Sequence, residues 1–87
     1  MITISLCMIV KNEEAVLARC LSSYLPVMDE IIIIDTGSTD KTKEIARKYT
    51  DLVYDFSWTG SFSDARNYSF SKATKEYIFV DKVLFTE

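Results

Sequence analysis

The chain has 87 residues, 48% of them hydrophobic, with ten basic against thirteen acidic residues and a formal net charge of −3. This composition argues against a disordered tail, and its scattered lysines and arginines argue against the basic face that a nucleic-acid footprint needs. Without a single histidine, no Ser–His or Cys–His nucleophile pair is available, so any general base is a carboxylate or a lysine.

Ile2 to Val10 is a β-branched, mostly apolar run that reads as a first strand, followed by the polar stretch "KNEE". The opening "MITISLCMIV" lacks a charged leader and a small-residue cleavage site, and ten residues are too few to span a bilayer. It is therefore expected to be a strand of a cytoplasmic or cytoplasm-facing domain. Cys7 and Cys20 lie in apolar stretches and match no zinc or redox spacing, so they read as buried free thiols in a reducing compartment. Glu13 to Leu25 has helical spacing, with Val16, Leu17, Cys20, Leu21 and Tyr24 on one face, and Pro26 closes it. Glu30 to Ile34 is a second strand, continuously apolar over four isoleucines, as expected of a strand covered on both faces. Thr39 to Tyr49 reads as a second helix with Thr42, Ile45, Ala46 and Tyr49 inward. A short third strand spans Leu52 to Asp55, the loop "FSWTGS" follows, and a third helix runs from Ser63 to Ala73. "EYIFVD" is the fourth strand, and the final "KVLFTE" has no clear period.

The order β-α-β-α-β-α-β predicts one α/β domain over 1–87, a Rossmann-like open parallel sheet with helices on both faces. Ligands of such sheets bind outside the carboxyl ends of the strands. Those ends carry Lys11 to Glu14, then Asp35 to Asp40, then Asp55, then Asp81. So many carboxylates on one edge call for a cation or for ligand donors, although each alone reads as an ordinary turn former or cap. Ser38 or Thr39 can cap the second helix, with Asp40 in its first turn, and Gly37 allows a positive φ. Capping leaves Asp35 unexplained; a carboxylate there suits a ribose hydroxyl or a base N–H. With Gly37 and Gly60 as the sole glycines, neither GxGxxG nor GxxxxGK[ST] can be written.

Three separated stretches, "SLCMIVKNEEAVLARCLSS", "DEIIIIDTGSTDKTKEIA" and "DFSWTGSFSDARNYSFSKATKEYIFVD", together resemble the amino-terminal half of glycosyltransferase family 2, with its GT-A fold. The resemblance implies a site for a nucleotide-diphosphate sugar, such as a uridine diphosphate sugar. On the matching positions, the segment from Val10 through Asn12 to Glu13 would line the base pocket. Asp35 would contact the nucleoside, Ser38 and Asp40 would complete that loop, and Arg66 would reach the nucleotide or its phosphates. Arginine suits that role because its charge is permanent and its fork matches phosphate. An ion pair of Arg66 with Asp64 or a neighbour is the structural alternative. Trp58 reads as a loop anchor or as part of the site, and because a lone tryptophan is more often packing it is left out of the site set.

The family's Asp-x-Asp motif, which holds Mg²⁺ or Mn²⁺ against the diphosphate, is altered to "VDKVL". Asp81 remains as the metal ligand, Lys82 stands beside it, and the second acid is missing, so metal binding is expected to be weakened or lost. The family's catalytic carboxylate lies downstream of that motif, and no residue here is placed to replace it. The resemblance thus implies a donor-binding half, expected to be inactive in sugar transfer by itself. Two alternatives remain. One is a non-catalytic interaction module that self-associates through uncovered apolar surface at Tyr77, Phe79, Leu84 and Phe85. The other is an acid-pocket receiver domain built on Glu13 or Glu14 and Asp55.

Overall fold

The computed structural model describes residues 2–80 and, for the backbone, 84–85. Its elements are β1 (Ile4–Lys11), α1 (Leu17–Tyr24), β2 (Glu30–Asp35), α2 (Thr42–Arg47), β3 (Val53–Asp55), α3 (Phe62–Lys72), β4 (Tyr77–Val80) and β5 (Leu84–Phe85). The sheet runs β3-β2-β1-β4, every pairing parallel, and β5 pairs with β1 at Val10 and Lys11, beyond the Ile4–Cys7 stretch that β4 occupies. The short β5 is an element that the aperiodic "KVLFTE" did not announce.

Side chains of a strand alternate between faces, and here both faces are covered. Leu6, Met8 and Val10 of β1 join Ile31 and Ile33 of β2 against Leu17 and Leu21 of α1 and Ala46 of α2. Cys7, Ile9, Ile32 and Ile34 point the other way, against Ala65 of α3. The four-isoleucine run is therefore two pairs serving opposite faces. Each fully buried Leu, Ile, Met or Val side chain among them contributes about 1.5–3 kcal/mol, a large share of the stability of a domain this small.

The helices are shorter than their periodicity suggests, and each end has a local cause. Glu13 O accepts from Val16 N at 3.2 Å and Leu17 N at 3.0 Å, so a turn leads into α1 before regular helix begins at Leu17. Leu25 N still bonds to Leu21 O at 2.9 Å, and Pro26 ends the run. The second helix starts at Thr42 rather than Thr39, because residues 38–40 are held in a loop described below. Ser61 accepts from Asp64 N at 3.4 Å and caps α3, whose buried residues are the small Ala65 and Ser69. Small side chains let this otherwise polar helix lie close on the sheet, with Cys7 Sγ 3.8 Å from Ser69 O. Cys7 and Cys20 are both free; burial pushes the Cys7 thiol up, while Cys20 is only partly covered. Among the described residues no helix is long and apolar enough to cross a membrane.

At the amino edge of the sheet, Glu30 ties three segments together. Its Oε1 accepts from the Ser5 hydroxyl at 2.7 Å and Thr74 N at 2.9 Å, and its Oε2 from the Thr74 hydroxyl at 2.7 Å. Partial desolvation acts to raise its pKa, but the Thr74 N–H and these hydroxyls, with Lys75 nearby, hold the carboxyl below its ordinary 4.5. A carboxylate with a depressed folded-state pKa adds stability above its unfolded value, and that stability is lost as pH falls through the folded value. The urea midpoint of the chain is accordingly expected to stay flat between about pH 5 and pH 8 and to fall below pH 4.5. Glu30→Gln is expected to lower the midpoint at pH 7 and to flatten the acid limb; an acid limb of unchanged steepness would remove Glu30 from this role.

Candidate functional site

In-register parallel pairing sets Val10, Asp35 and Asp55 side by side at the carboxyl ends of β1, β2 and β3. Val10 is fully buried among the α1 and α2 contacts, and its carbonyl accepts both Thr36 N at 3.1 Å and Thr36 Oγ1 at 3.2 Å. Its side chain therefore lies in the core and not in a pocket.

Asp35 is 1% exposed. Its Oδ1 accepts from Gly37 N at 2.9 Å and Ser38 N at 2.8 Å, an Asx turn that reverses the chain at the strand end. Half of this carboxylate thus has the structural reason that helix capping alone did not supply. The other half has none: Oδ2 is buried and makes no hydrogen bond. A buried acceptor left unpaired costs about 1–3 kcal/mol, more when charged, and native structures hold few of them.

Ser38 and Thr39 do not cap α2, contrary to the expectation from sequence. They face the loop after β1 instead. Ser38 Oγ accepts from Asn12 N at 2.9 Å, and Asn12 Oδ1 accepts from Thr39 N at 2.7 Å. Lys41 occupies the N-cap position of α2 without a side-chain capping bond, and the first helical N–H, Thr42 N, is satisfied by Asp40 Oδ1 at 2.9 Å, which also takes the Thr42 hydroxyl. The latch continues through Glu13 N to Thr42 Oγ1 at 2.8 Å, Glu14 N to Asp40 Oδ2 at 3.3 Å, and Lys41 N to Glu14 Oε2 at 3.1 Å. Desolvation acts against ionisation of Asp40, but the Thr42 hydroxyl and N–H and the Glu14 N–H outweigh it and hold its carboxyl below the ordinary carboxylate range. Asn12 sits at φ +52°, a left-handed conformation that asparagine tolerates better than most residues.

Beside this latch lies a recess of about 380 Å³ lined by Asp35, Thr36, Gly37, Asp55, Phe56, Ser57 and Trp58. Of the residues expected to form the site, Asp35 alone lines it. Asn12, Glu13, Ser38 and Asp40 are brought together with one another next to it. Arg66 is exposed on α3, one position beyond the buried Ala65. It forms no ion pair with Asp64, which instead accepts the Thr59 hydroxyl at 2.7 Å. Asp81 lies outside the described residues. Trp58, which the sequence left open between loop anchor and site residue, is 40% exposed at the recess, where Asp55 also stands, bridged by Lys43 Nζ at 2.7 Å. The signal for Trp58 was its position in the loop leaving the third strand, on the ligand-bearing edge. A second recess, of about 370 Å³, opens at the opposite edge near Glu30, whose polar groups are already paired.

Residues 5–80 match the model of the family described as glycosyl transferase family 2. The chain belongs to glycosyltransferase family 2. It is 42% identical over 92% of its length to a TPR repeat-containing protein of Synechococcus elongatus, and 37% identical over 88% to the SPbeta prophage-derived glycosyltransferase SunS of Bacillus subtilis. It spans about a fifth of the length of these curated relatives, 20% and 19% respectively. Among solved structures, glucosyl-3-phosphoglycerate synthase of Mycobacterium tuberculosis, in complex with phosphoglyceric acid, superposes with a TM-score of 0.75. That likeness, at 24% identity, covers 91% of this chain and 33% of the synthase and shows the shared fold: the sheet and helices of a partial GT-A domain.

The family's divalent metal needs several oxygen ligands. Among the described residues, no group of three His, Cys, Asp or Glu could hold one. Asp55 is engaged by Lys43, and Asp35 Oδ1 by two backbone N–H groups. The described residues therefore do not fit a metal centre, and no chemical step is derived through one.

The latch makes Asn12 a positioning residue with two separable contributions. Asn12→Ala loses the bond to Thr39 and forces alanine into the left-handed region, for an expected loss of about 2 kcal/mol in urea unfolding. Asn12→Gly loses the bond without the strain and is expected to cost about half as much. Equal losses from the two variants would show that the backbone conformation carries no cost.

Proposed function

We propose that the carboxyl edge of this sheet binds the nucleoside of a uridine diphosphate sugar, the donor half of a family 2 glycosyl transfer. The buried, unpartnered Oδ2 of Asp35 carries this reading. With Oδ1 filled by Gly37 and Ser38, a single acceptor oxygen remains, and it asks for a single donor. The imide N–H of uracil is such a donor, as is a ribose hydroxyl. Guanine presents two adjacent donors that want two free acceptors. Asn12, Glu13, Ser38 and Asp40 serve the site by fixing the two loops that frame Asp35. The exposed guanidinium of Arg66 is the candidate for the phosphates. Transfer to an acceptor belongs, in this reading, to the longer domain of the relatives. The free cysteines support a reducing, cytoplasmic setting.

Asp35→Asn tests the reading. Its amide oxygen can keep the turn with Gly37 and Ser38, while an NH₂ that can only donate replaces Oδ2. The variant is expected to fold with unchanged or raised stability and to bind UDP about ten- to a hundredfold more weakly in calorimetry, as loss of a charge-assisted bond requires. Wild-type binding of GDP is expected to be at least about tenfold weaker than that of UDP. Unaltered 2′-deoxy-UDP binding assigns Oδ2 to the base, and a comparable loss assigns it to the ribose. UDP binding unaffected by Asp35→Asn would defeat the proposal, and sugar transfer by the purified chain would defeat its restriction to donor binding.

One observation favours a second property, self-association. Tyr77, Ile78 and Phe79 are 54%, 42% and 44% exposed on β4, the outer strand of the described sheet on that side. An uncharged apolar strand with a free edge is a template for pairing with another chain. Sedimentation is expected to show a mass that rises above the monomer with concentration, and Ile78→Lys to hold the chain monomeric. A wild-type monomer at high concentration would refute it.

A further inference from the structure

We propose that Trp58 is the aromatic wall of the nucleoside site, stacking on the base whose donor, or whose ribose, reaches Asp35. This inference deepens the nucleotide reading and rests on it. Trp58 is placed by the strand before it and the helix after it. Phe56 N donates to Asp35 O at 2.8 Å, so the chain leaving β3 is registered directly against the strand end that carries the unpartnered oxygen. The Phe56 ring is fixed at 5.1 Å from Tyr68 of α3, which leaves the next residues at the mouth of the recess and not beneath it. Trp58 is then braced by Phe62, the first residue of α3, at 4.9 Å and 65° in an edge-to-face contact. Both ends of the loop are thus anchored, one in the sheet and one in a capped helix.

The recess is lined both by Asp35, whose buried Oδ2 has no partner, and by the indole-bearing Trp58. Its Gly37 side is open, since a Cβ built there would meet nothing within 4 Å. A planar ring with one N–H and two apolar faces fits such a pair, because the indole offers area to any base while the carboxylate selects by its single acceptor. An indole that served only to pack would be expected under the sheet with Phe56, and Trp58 instead stays 40% exposed at the binding edge.

Trp58 is the chain's sole tryptophan, so its fluorescence reports on the site without interference. UDP is expected to quench or shift that emission, and inorganic pyrophosphate, which has no ring, to leave it unchanged. Trp58→Ala is expected to weaken UDP about ten- to a hundredfold while leaving pyrophosphate affinity and the thermal midpoint near wild type, and Trp58→Phe to recover most of the loss. Trp58→Ala with wild-type affinity for UDP would overturn this inference alone, leaving Asp35 as the nucleoside contact. A wild-type chain that binds no UDP would overturn the nucleotide reading and the stacking role with it. If Trp58→Ala lowered UDP and pyrophosphate affinity equally, the residue would be a loop brace and the stacking role would fall.

Discussion

A carboxylate buried at the end of a central strand needs donors from the protein in place of water, and the carboxyl edge of this domain is organised around how Asp35 is satisfied. It ends β2, which has β1 on one side and β3 on the other, so it is covered laterally as well as from both faces. Two consecutive backbone N–H groups converge on Oδ1 and turn the chain back across the strand ends. That turn puts Ser38 where its hydroxyl meets Asn12 N, and Thr39 where its N–H meets the Asn12 side chain. The two loops that follow β1 and β2 thereby become one hydrogen-bonded unit, extended by Asp40, Thr42 and Glu14. Oδ2 is what the arrangement leaves over.

This changes what the polar motif residues are for. Neutral hydrogen bonds contribute about 1 kcal/mol each, and an exposed ion pair such as Lys43–Asp55 about 0–1 kcal/mol, so none of these contacts by itself holds the edge. Their joint effect is to remove alternatives. A ligand that meets preordered loops pays less ordering entropy on binding, which is how side chains already bonded to one another can still contribute to affinity. In the proposed site, Asn12, Ser38 and Asp40 would act on the ligand through Asp35, whereas Asp35 and Trp58 line the recess itself.

Most of the fold was legible because it depends on short-range periodicity. The alternation of strand and helix, the two-faced burial of Ile31 to Ile34 and the stop at Pro26 all follow from neighbours in sequence. The family was legible from three motifs in order. What could not be read were contacts between residues far apart in the chain. The start of α2 depends on Asn12, 27 residues away from Thr39, so a local rule for caps pointed to Ser38 or Thr39 where Asp40 does the work. The Asx turn is not legible in the sequence because an aspartate that binds the N–H groups two and three residues on looks the same there as one held free for a ligand. Trp58 could not be decided between anchor and site residue because its environment is set by the pairing of β3 with β2, which no spacing within "FSWTGS" reveals.

Gly37 shows how far the division of Asp35 depends on the backbone. Its φ of +105° lies in a region that residues with a Cβ rarely adopt, yet a Cβ built there would touch nothing. Crowding is therefore not the reason for a glycine at this position; conformation is. With an ordinary φ at residue 37, the N–H groups of 37 and 38 could not both keep this approach to one oxygen. The turn would then have to recruit other donors or leave Oδ1 unpaired as well. The glycine fixes which oxygen the fold consumes and so which oxygen it withholds. The selectivity proposed for the site, one acceptor for one donor, traces to a residue with no side chain.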